Sequence, residues 1–160
     1  MKEIKIESVL YVYDQLSEVP DEVKELMKFA AEARDKAYAP YSKFNVGAAL
    51  LLDNDQIITG SNQENASYPS GLCAERTAIY YAGANYPKSK IVRMAITAAS
   101  QRSKTDQPIP PCGACRQAIS EYELNQDQPI EIYFMGETGL ILKSKSLANL
   151  LPLAFKKSAL

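Results

Sequence analysis

Two short stretches, Cys73-Ala74-Glu75-Arg76 and Pro111-Cys112-Gly113-Ala114-Cys115-Arg116, are the most informative parts of this 160-residue sequence. Each is followed by a run of residues with helical character, so each predicts the first turn of a helix. Strand-like apolar runs lie before and after these helices, and such alternation predicts a mixed sheet. The sequence therefore predicts an α/β fold in which two helix starts carry the chemistry.

The rest of the chain continues this alternation in the order α-β-β-α-β-α-β-β-α. Helices are predicted over 20–37, 73–83 and 112–122, with a last one beginning at 146, and strands over 44–52, 57–60, 91–99, 130–135 and 140–143. A loose two-residue apolar period over 4–12 is compatible with an edge strand. We expect a three-layer α/β/α architecture with a mixed, about five-stranded sheet covered by helices on both faces.

The domain organisation is simple, because no repeat, low-complexity tract or Gly/Ser linker divides the chain. The polar, proline-rich stretch over 100–111 leads directly into the cysteine pair, so it is interpreted as a connector that shapes a site. We expect a single catalytic domain over 20–160, preceded by an N-terminal extension over 1–19 with no assigned role.

Composition excludes several classes of function. Eighteen Lys and Arg against nineteen Asp and Glu give a formal net charge of −1, whereas nucleic-acid binders usually carry a basic excess. The N-terminus lacks the apolar core of a secretory signal, and the longest mainly apolar run, 46–52, is far below the ~20 residues that span a bilayer. We expect a cytoplasmic protein without nucleic-acid or membrane partners.

The chain contains no histidine, which excludes a Ser-His-Asp triad, an imidazole general base and a His-ligated zinc ion. Any transition-metal site must therefore be built largely from sulfur. An odd number of cysteines, three, favours metal ligands or reactive thiols over disulfides in an intracellular chain.

The spacing of Cys73, Cys112 and Cys115 favours a catalytic zinc site. A closed structural zinc site needs four protein ligands, whereas three ligands leave one position open for water. Glu75 follows the first cysteine by two residues, as in the zinc deaminase signature with three cysteines, where this glutamate is the general acid/base and not a ligand. A redox-active thiol pair and a non-catalytic zinc-binding module remain as alternatives.

Beyond these motifs, the sequence resembles the cytidine deaminases of the small, homotetrameric, three-cysteine type. The similarity covers about residues 22–155, and it is carried by the segments 37–50, 62–68, 73–78, 111–117 and 150–155. The resemblance implies a cytidine deaminase-like fold, one Zn²⁺ per chain, and a homotetramer in which neighbouring subunits share active sites.

The resemblance also implies a role for each matching residue. It implies Cys73, Cys112 and Cys115 as zinc ligands and Glu75 as the catalytic residue. The implied substrate-binding residues are Asn62 and Glu64 for the ribose hydroxyls, Phe44 for stacking on the pyrimidine, Phe155 for a neighbouring subunit's pocket, and Ala66, Tyr68 and Ala74. Arg76, which is expected to hydrogen-bond the zinc thiolates, and Gln117 are implied as supporting residues.

The activity implied is zinc-dependent hydrolytic deamination of cytidine and 2′-deoxycytidine to the uridines with release of ammonia, in pyrimidine salvage. A nucleotide substrate would need cations for its phosphate, and the segment 62–68 contains no basic cluster; Lys43 is interpreted as a solvated side chain. A free nucleoside is therefore favoured. The alternative within the same chemistry is a deaminase of a cytosine-nucleoside antibiotic such as blasticidin S.

Overall fold

The computed structural model, which describes residues 1–157, contains six strands and three α-helices. In chain order these elements are β1 (Tyr11–Tyr13), α1 (Asp21–Arg34), β2 (Phe44–Leu52), β3 (Ile57–Ser61), α2 (Ala74–Asn85), β4 (Ile91–Ser100), α3 (Gly113–Gln126), β5 (Glu131–Met135) and β6 (Ile141–Ser144). Short 3₁₀ turns at Leu16–Glu18, Tyr68–Ser70 and Leu147–Asn149 complete the regular structure of these residues.

The strands form one mixed sheet in the order β1-β6-β5-β4-β2-β3. β4 and β5 are parallel, and the other neighbours are antiparallel. A parallel pair needs a long crossover connection, and α3 supplies it between β4 and β5. This crossover places the start of α3 beyond the end of β4, at the same edge of the sheet as the start of α2.

Helices cover both faces of the sheet, which confirms the three-layer α/β/α architecture. Ala49 of β2 packs in the core beneath α1, whereas its neighbours Ala48 and Leu50 pack in the core beneath α2 and α3. Successive side chains of a strand point to opposite faces. Burial on both faces therefore explains why β2 is a nearly continuous apolar run instead of an alternating one.

Two sequence predictions are corrected by the structure. The sheet has six strands instead of about five. Only the last two residues of the apolar period over 4–12 lie in a strand, β1, because its partner β6 is only four residues long. The helix predicted to begin at Ser146 is a single 3₁₀ turn, Leu147–Asn149. Pro152 cannot donate a backbone hydrogen bond and disfavours helical geometry in the residue before it, so the turn is not extended.

The position of α2 depends on a glycine in the neighbouring strand. A Cβ atom at Gly60 of β3 would lie 2.5 Å from the carbonyl oxygen of Ala74 and 2.6 Å from the amide nitrogen of Ala78. Backbone therefore contacts backbone where α2 begins, and no side chain fits between them. Among the described residues, no helix is long and apolar enough to cross a membrane.

We predict that Gly60→Ala will destabilise the fold and shift α2 away from β3. Overpacking of this kind typically costs about 1–3 kcal/mol, which corresponds to a fall in Tm of roughly 3–10 °C for a chain of this size. Thermal unfolding measures the shift. The matched control is Gly113→Ala in α3, where an added Cβ would have no neighbour within 4 Å. Equal Tm values for the two variants would contradict the close-packing argument.

Candidate active site

The three cysteine sulfurs meet where two helices begin. Cys73 is the residue before α2, Cys112 is the residue before α3, and Cys115 lies in the first turn of α3. The Sγ atom of Cys112 is 3.8 Å from that of Cys73 and 3.5 Å from that of Cys115, and all three sulfurs lie within 4.8 Å of one another. A tetrahedral zinc ion with Zn–S bonds of about 2.3 Å separates its sulfur ligands by about 3.8 Å. The three cysteines are therefore positioned to bind zinc.

Positive charge surrounds these sulfurs. The N-termini of α2 and α3 both lie at the cluster, and each contributes roughly half a positive charge. Nη2 of Arg76 lies 3.7 Å from Sγ of Cys73. The pKa of Cys73 falls to about 5, first because the Cys115 thiol hydrogen-bonds to it and then, against the effect of burial, because Arg76 does. These groups favour the thiolate of Cys73, the form in which cysteine binds metal, whereas the pKa of Cys115 is raised, first by its hydrogen bond to Cys73 and then by burial.

Glu75 combines burial with an unused hydrogen-bonding atom. The residue lies in the first turn of α2 and is only 4% exposed, and its Oε2 atom finds no hydrogen-bond partner within residues 1–157. Burial, and next the nearby charge of Cys73, raise the pKa of Glu75. A buried polar atom without a partner is costly. This carboxyl group is therefore suited to exchange a proton with a ligand bound beside the sulfurs.

A cavity of about 440 Å³ opens next to the cysteine cluster. Its walls come from the loop before β2, the segment after β3 and the start of α2. The lining residues are Tyr41, Ser42, Asn62, Gln63, Glu64, Asn65, Tyr68, Gly71, Leu72, Cys73 and Arg76. The structure thus brings three of the predicted substrate-binding residues together with a predicted zinc ligand.

Asn62 and Glu64 also hold the loop before β2. The side-chain amide of Asn62 donates to the carbonyl oxygen of Phe44 at 2.9 Å and accepts from the amide of Val46 at 2.7 Å. Oε2 of Glu64 accepts from the backbone amides of Tyr41 at 2.9 Å and Ser42 at 3.2 Å. Both side chains therefore organise the wall of the cavity in which they lie.

These hydrogen bonds affect both the charge of Glu64 and the shape of the loop. The pKa of Glu64 is lowered, first by the Ser42 side chain and also by the Tyr41 and Ser42 amides, which outweigh desolvation. Glu64 is therefore ionised at neutral pH. Lys43 has a φ of 58°, a left-handed conformation that costs a non-glycine residue roughly 1–2 kcal/mol. Hydrogen bonds on both sides of Lys43 stabilise that conformation.

Four predicted substrate-binding residues lie outside the cavity wall that the described residues of the single chain form: Phe44, Ala66, Ala74 and Phe155. Phe44 is half-buried at the start of β2, Ala66 is exposed, and Ala74 is fully buried at the start of α2. Tyr68 does line the cavity but is 77% exposed, with its ring 6.2 Å from that of Tyr41. Phe155 is 61% exposed, and the side chain of Gln117 donates to its carbonyl oxygen at 2.9 Å.

Arg116 is a supporting residue that sequence reasoning missed. Its Nε atom donates to the carbonyl oxygen of Pro111 at 2.8 Å, and its Nη1 atom donates to that of Leu150 at 3.0 Å. Arg116 and Gln117 therefore tie the metal-binding loop to the segment that carries Phe155. The only sequence signal was the position of Arg116 directly after Cys115, because both of its partners are backbone carbonyls that any residue could supply.

Comparison with known proteins agrees with this geometry. Residues 20–127 match the family model described as the cytidine and deoxycytidylate deaminase zinc-binding region. The cytidine deaminase of Sporosarcina psychrophila is 41% identical over 139 residues, which cover 87% of this chain and 95% of that protein. The cytidine deaminase of Halalkalibacterium halodurans is 48% identical over 96 residues, which cover 60% of this chain and 68% of that protein.

Solved structures show the same relationship. The crystal structure of cytidine deaminase from Burkholderia pseudomallei superposes with a TM-score of 0.72 at 38% identity, over 86% of this chain and 100% of that one. The cytidine deaminase of Mycobacterium tuberculosis gives a TM-score of 0.66 at 31% identity, over 86% of this chain and 99% of that one. With its three sulfurs, its buried glutamate and these relatives, the chain belongs to the cytidine and deoxycytidylate deaminase family.

Proposed function

We propose that this protein catalyses the zinc-dependent hydrolytic deamination of cytidine and 2′-deoxycytidine to uridine and 2′-deoxyuridine, with release of ammonia, in pyrimidine salvage. One observation carries the proposal: the buried carboxyl group of Glu75, with Oε2 unpartnered within residues 1–157, follows Cys73 of the three-sulfur cluster by two residues. The direct test is uridine formation by purified protein, with and without a zinc chelator.

Glu75 is proposed to move every proton of the reaction. A zinc ion held by the three cysteines supplies the Lewis acidity that makes water nucleophilic near neutral pH. The Glu75 carboxylate takes a proton from the attacking water and delivers it to N3 of the pyrimidine. As the oxygen–C4 bond replaces the C4–N4 bond, Glu75 transfers the second water proton to the departing amine. Water and cytidine thereby become uridine and ammonia.

The substrate class is proposed from the charge of the cavity. Arg76 is the only cationic residue in the part of the cavity wall that residues 1–157 form, and it lies against Cys73 Sγ. The wall also includes the ionised carboxylate of Glu64, which repels a phosphate. An uncharged nucleoside is therefore favoured, with Asn62 and Glu64 facing its ribose hydroxyls. Turnover of cytidine, deoxycytidine, CMP and blasticidin S distinguishes these substrates.

The assembly proposed is a homotetramer with shared active sites, acting in the cytoplasm. The large exposed side chains of Tyr68, Leu153 and Phe155 support it, since a neighbouring subunit would cover them. A cytoplasmic location is supported by the thiols, because zinc binding needs reduced cysteines.

We further propose one catalytic domain over 20–160, preceded by an N-terminal extension over 1–19. Tyr13 and Val19 of this extension pack against the core beneath α1.

Glu75→Gln is expected to retain one zinc ion per chain but to lose at least ~10²-fold in kcat, the lower end of the contribution of a general acid/base. Native mass spectrometry measures the zinc, and uridine formation measures kcat. Glu25→Gln, on the exposed side of α1, is the control and should leave kcat unchanged. Full activity of Glu75→Gln would contradict the mechanism. A metal-free chain with a Cys112–Cys115 disulfide would support a redox protein instead.

Arg76→Gln is expected to slow turnover, because three thiolates and one Zn²⁺ carry a net charge of −1 and Arg76 offsets part of it. Adding Cys73→His removes one negative charge and should partly restore kcat. Arg76→Lys keeps the charge at the position and serves as the matched control. A double variant no faster than Arg76→Gln alone would refute the charge argument.

Phe155→Ala is expected to raise KM at a site that its own chain does not form. Mixed tetramers of Phe155→Ala and Glu75→Gln test this directly. Each variant alone lacks one of the two side chains at every site. Only the mixture forms sites that combine the intact Glu75 of one chain with the intact Phe155 of its neighbour. At substrate concentrations below KM, the mixture is expected to form uridine faster than the sum of the rates of the two separate variants. Additive activity, or an unchanged KM for Phe155→Ala, would show that Phe155 serves no neighbouring pocket.

A further inference from the structure

Exposed apolar side chains are concentrated at the start of the chain. Among the described residues, seventeen large hydrophobic side chains are exposed, and eight of them lie within residues 1–16. These eight are Met1, Ile4, Ile6, Val9, Leu10, Tyr11, Val12 and Leu16. Scattered exposed apolar residues are normal, but a contiguous set marks an interaction surface.

Segment 2–10 leads directly into β1 and has no regular secondary structure of its own. β1 pairs with β6 through Tyr11 opposite Lys143, and β6 ends one residue later at Ser144. The amide of Val9 reaches the side chain of Asn149 at 3.3 Å instead of a strand. Among the described residues, segment 2–10 therefore has no strand beside it, whereas Ser8 and Leu10 at its end line a shallow cavity with residues of their own chain such as Leu142.

The side chains of this segment separate charge from apolar surface. Nζ of Lys5 lies 2.6 Å from Oε1 of Glu7, so these two residues lie on the same side, as the two-residue period of an extended chain requires. Ile4 and Ile6 occupy the intervening positions and are 86% and 50% exposed. A segment that has no strand partner and leads into an edge strand can add to another strand.

We propose that segment 2–10 pairs antiparallel with the same segment of a second copy of this chain, centred on Ile6. In that register Lys5 of each copy lies opposite Glu7 of the other, and the two Ile6 side chains lie opposite each other. Opposite charges directly across a pair of strands are stabilising, and like charges are destabilising. The alternation Lys5-Ile6-Glu7 is therefore complementary to itself when reversed.

Neighbouring two-fold registers are less favourable. Centring on Lys5 places the two lysines opposite each other and Glu3 opposite Glu7, and centring on Glu7 places the two glutamates opposite each other. Centring on Ile4 matches Glu3 with Lys5 but places Ile6 opposite Lys2 and leaves Val9 beyond the pair. The register centred on Ile6 matches Lys5 with Glu7 and is the one of these registers that also pairs the whole segment, with Glu3 opposite Val9 and Lys2 opposite Leu10.

Disulfide trapping tests the register in the zinc-loaded full-length protein. Ile6→Cys should form a covalent dimer under mild oxidation, because directly opposed residues lie within the ~4.4–6.8 Å Cα separation that a disulfide spans. Ile4→Cys is the matched control, since its counterpart would lie four residues along the ladder, about 14 Å away. Wild-type protein shows any linkage through the native cysteines. Equal linkage of Ile4→Cys and Ile6→Cys, or none, would overturn the proposal, as would linkage of Ile4→Cys alone.

Charge reversal tests the complementarity in the Ile6→Cys background. Lys5→Glu or Glu7→Lys alone creates two like-charge pairs across the two-fold axis and should slow dimer trapping about tenfold. The double exchange Lys5→Glu with Glu7→Lys restores both pairs and should restore the rate. A double variant as slow as either single one would contradict this pairing. The readout is covalent dimer on a non-reducing gel, so it is independent of deaminase activity and of the proposed function.

Discussion

The arrangement of this site depends on the convergence of two helix N-termini on one set of sulfur atoms. Cys73 precedes α2 and Cys112 precedes α3, so each helix directs its unpaired N–H groups and its positive end toward the cluster. The sheet fixes both helices. Gly60 allows α2 to contact the backbone of β3, and the parallel pairing of β4 and β5 requires α3 to cross between them. The sulfur atoms are thereby held 3.5 and 3.8 Å apart.

The absence of histidine makes this convergence more important. A site with a neutral imidazole in place of one thiolate would carry one negative charge less, and its zinc ion would polarise water more strongly. This chain instead offsets the extra charge with the two helix ends and with Arg76 beside Cys73. The same negative charge, together with burial, raises the pKa of Glu75. In the proposed mechanism Glu75 both accepts and donates a proton near neutral pH, and a raised pKa favours that exchange.

The sequence predicted those features that depend on residue type and short spacing. The cysteine motifs and the two helix starts could be predicted because a helix start is a local signal, and the two-sided burial of β2 followed from its apolar run. The short extent of the edge strand β1 and the contacts of Arg116 could not be predicted. Each depends on where distant backbone groups lie, such as the carbonyl of Leu150, and backbone groups leave no trace in the sequence.

Asn62 and Glu64 show why a residue's role cannot be read from one partner. The family resemblance implies that they hold a ribose, yet their side chains already bond to the backbone of Phe44, Val46, Tyr41 and Ser42. A carboxylate has about four acceptor positions and an amide has two donors and two acceptor positions, so each side chain has capacity for a sugar hydroxyl as well. Removing either one would release the left-handed loop at Lys43 in addition to any ribose contact. In the proposed substrate complex, binding of the sugar and order in that loop are therefore coupled through the same two side chains.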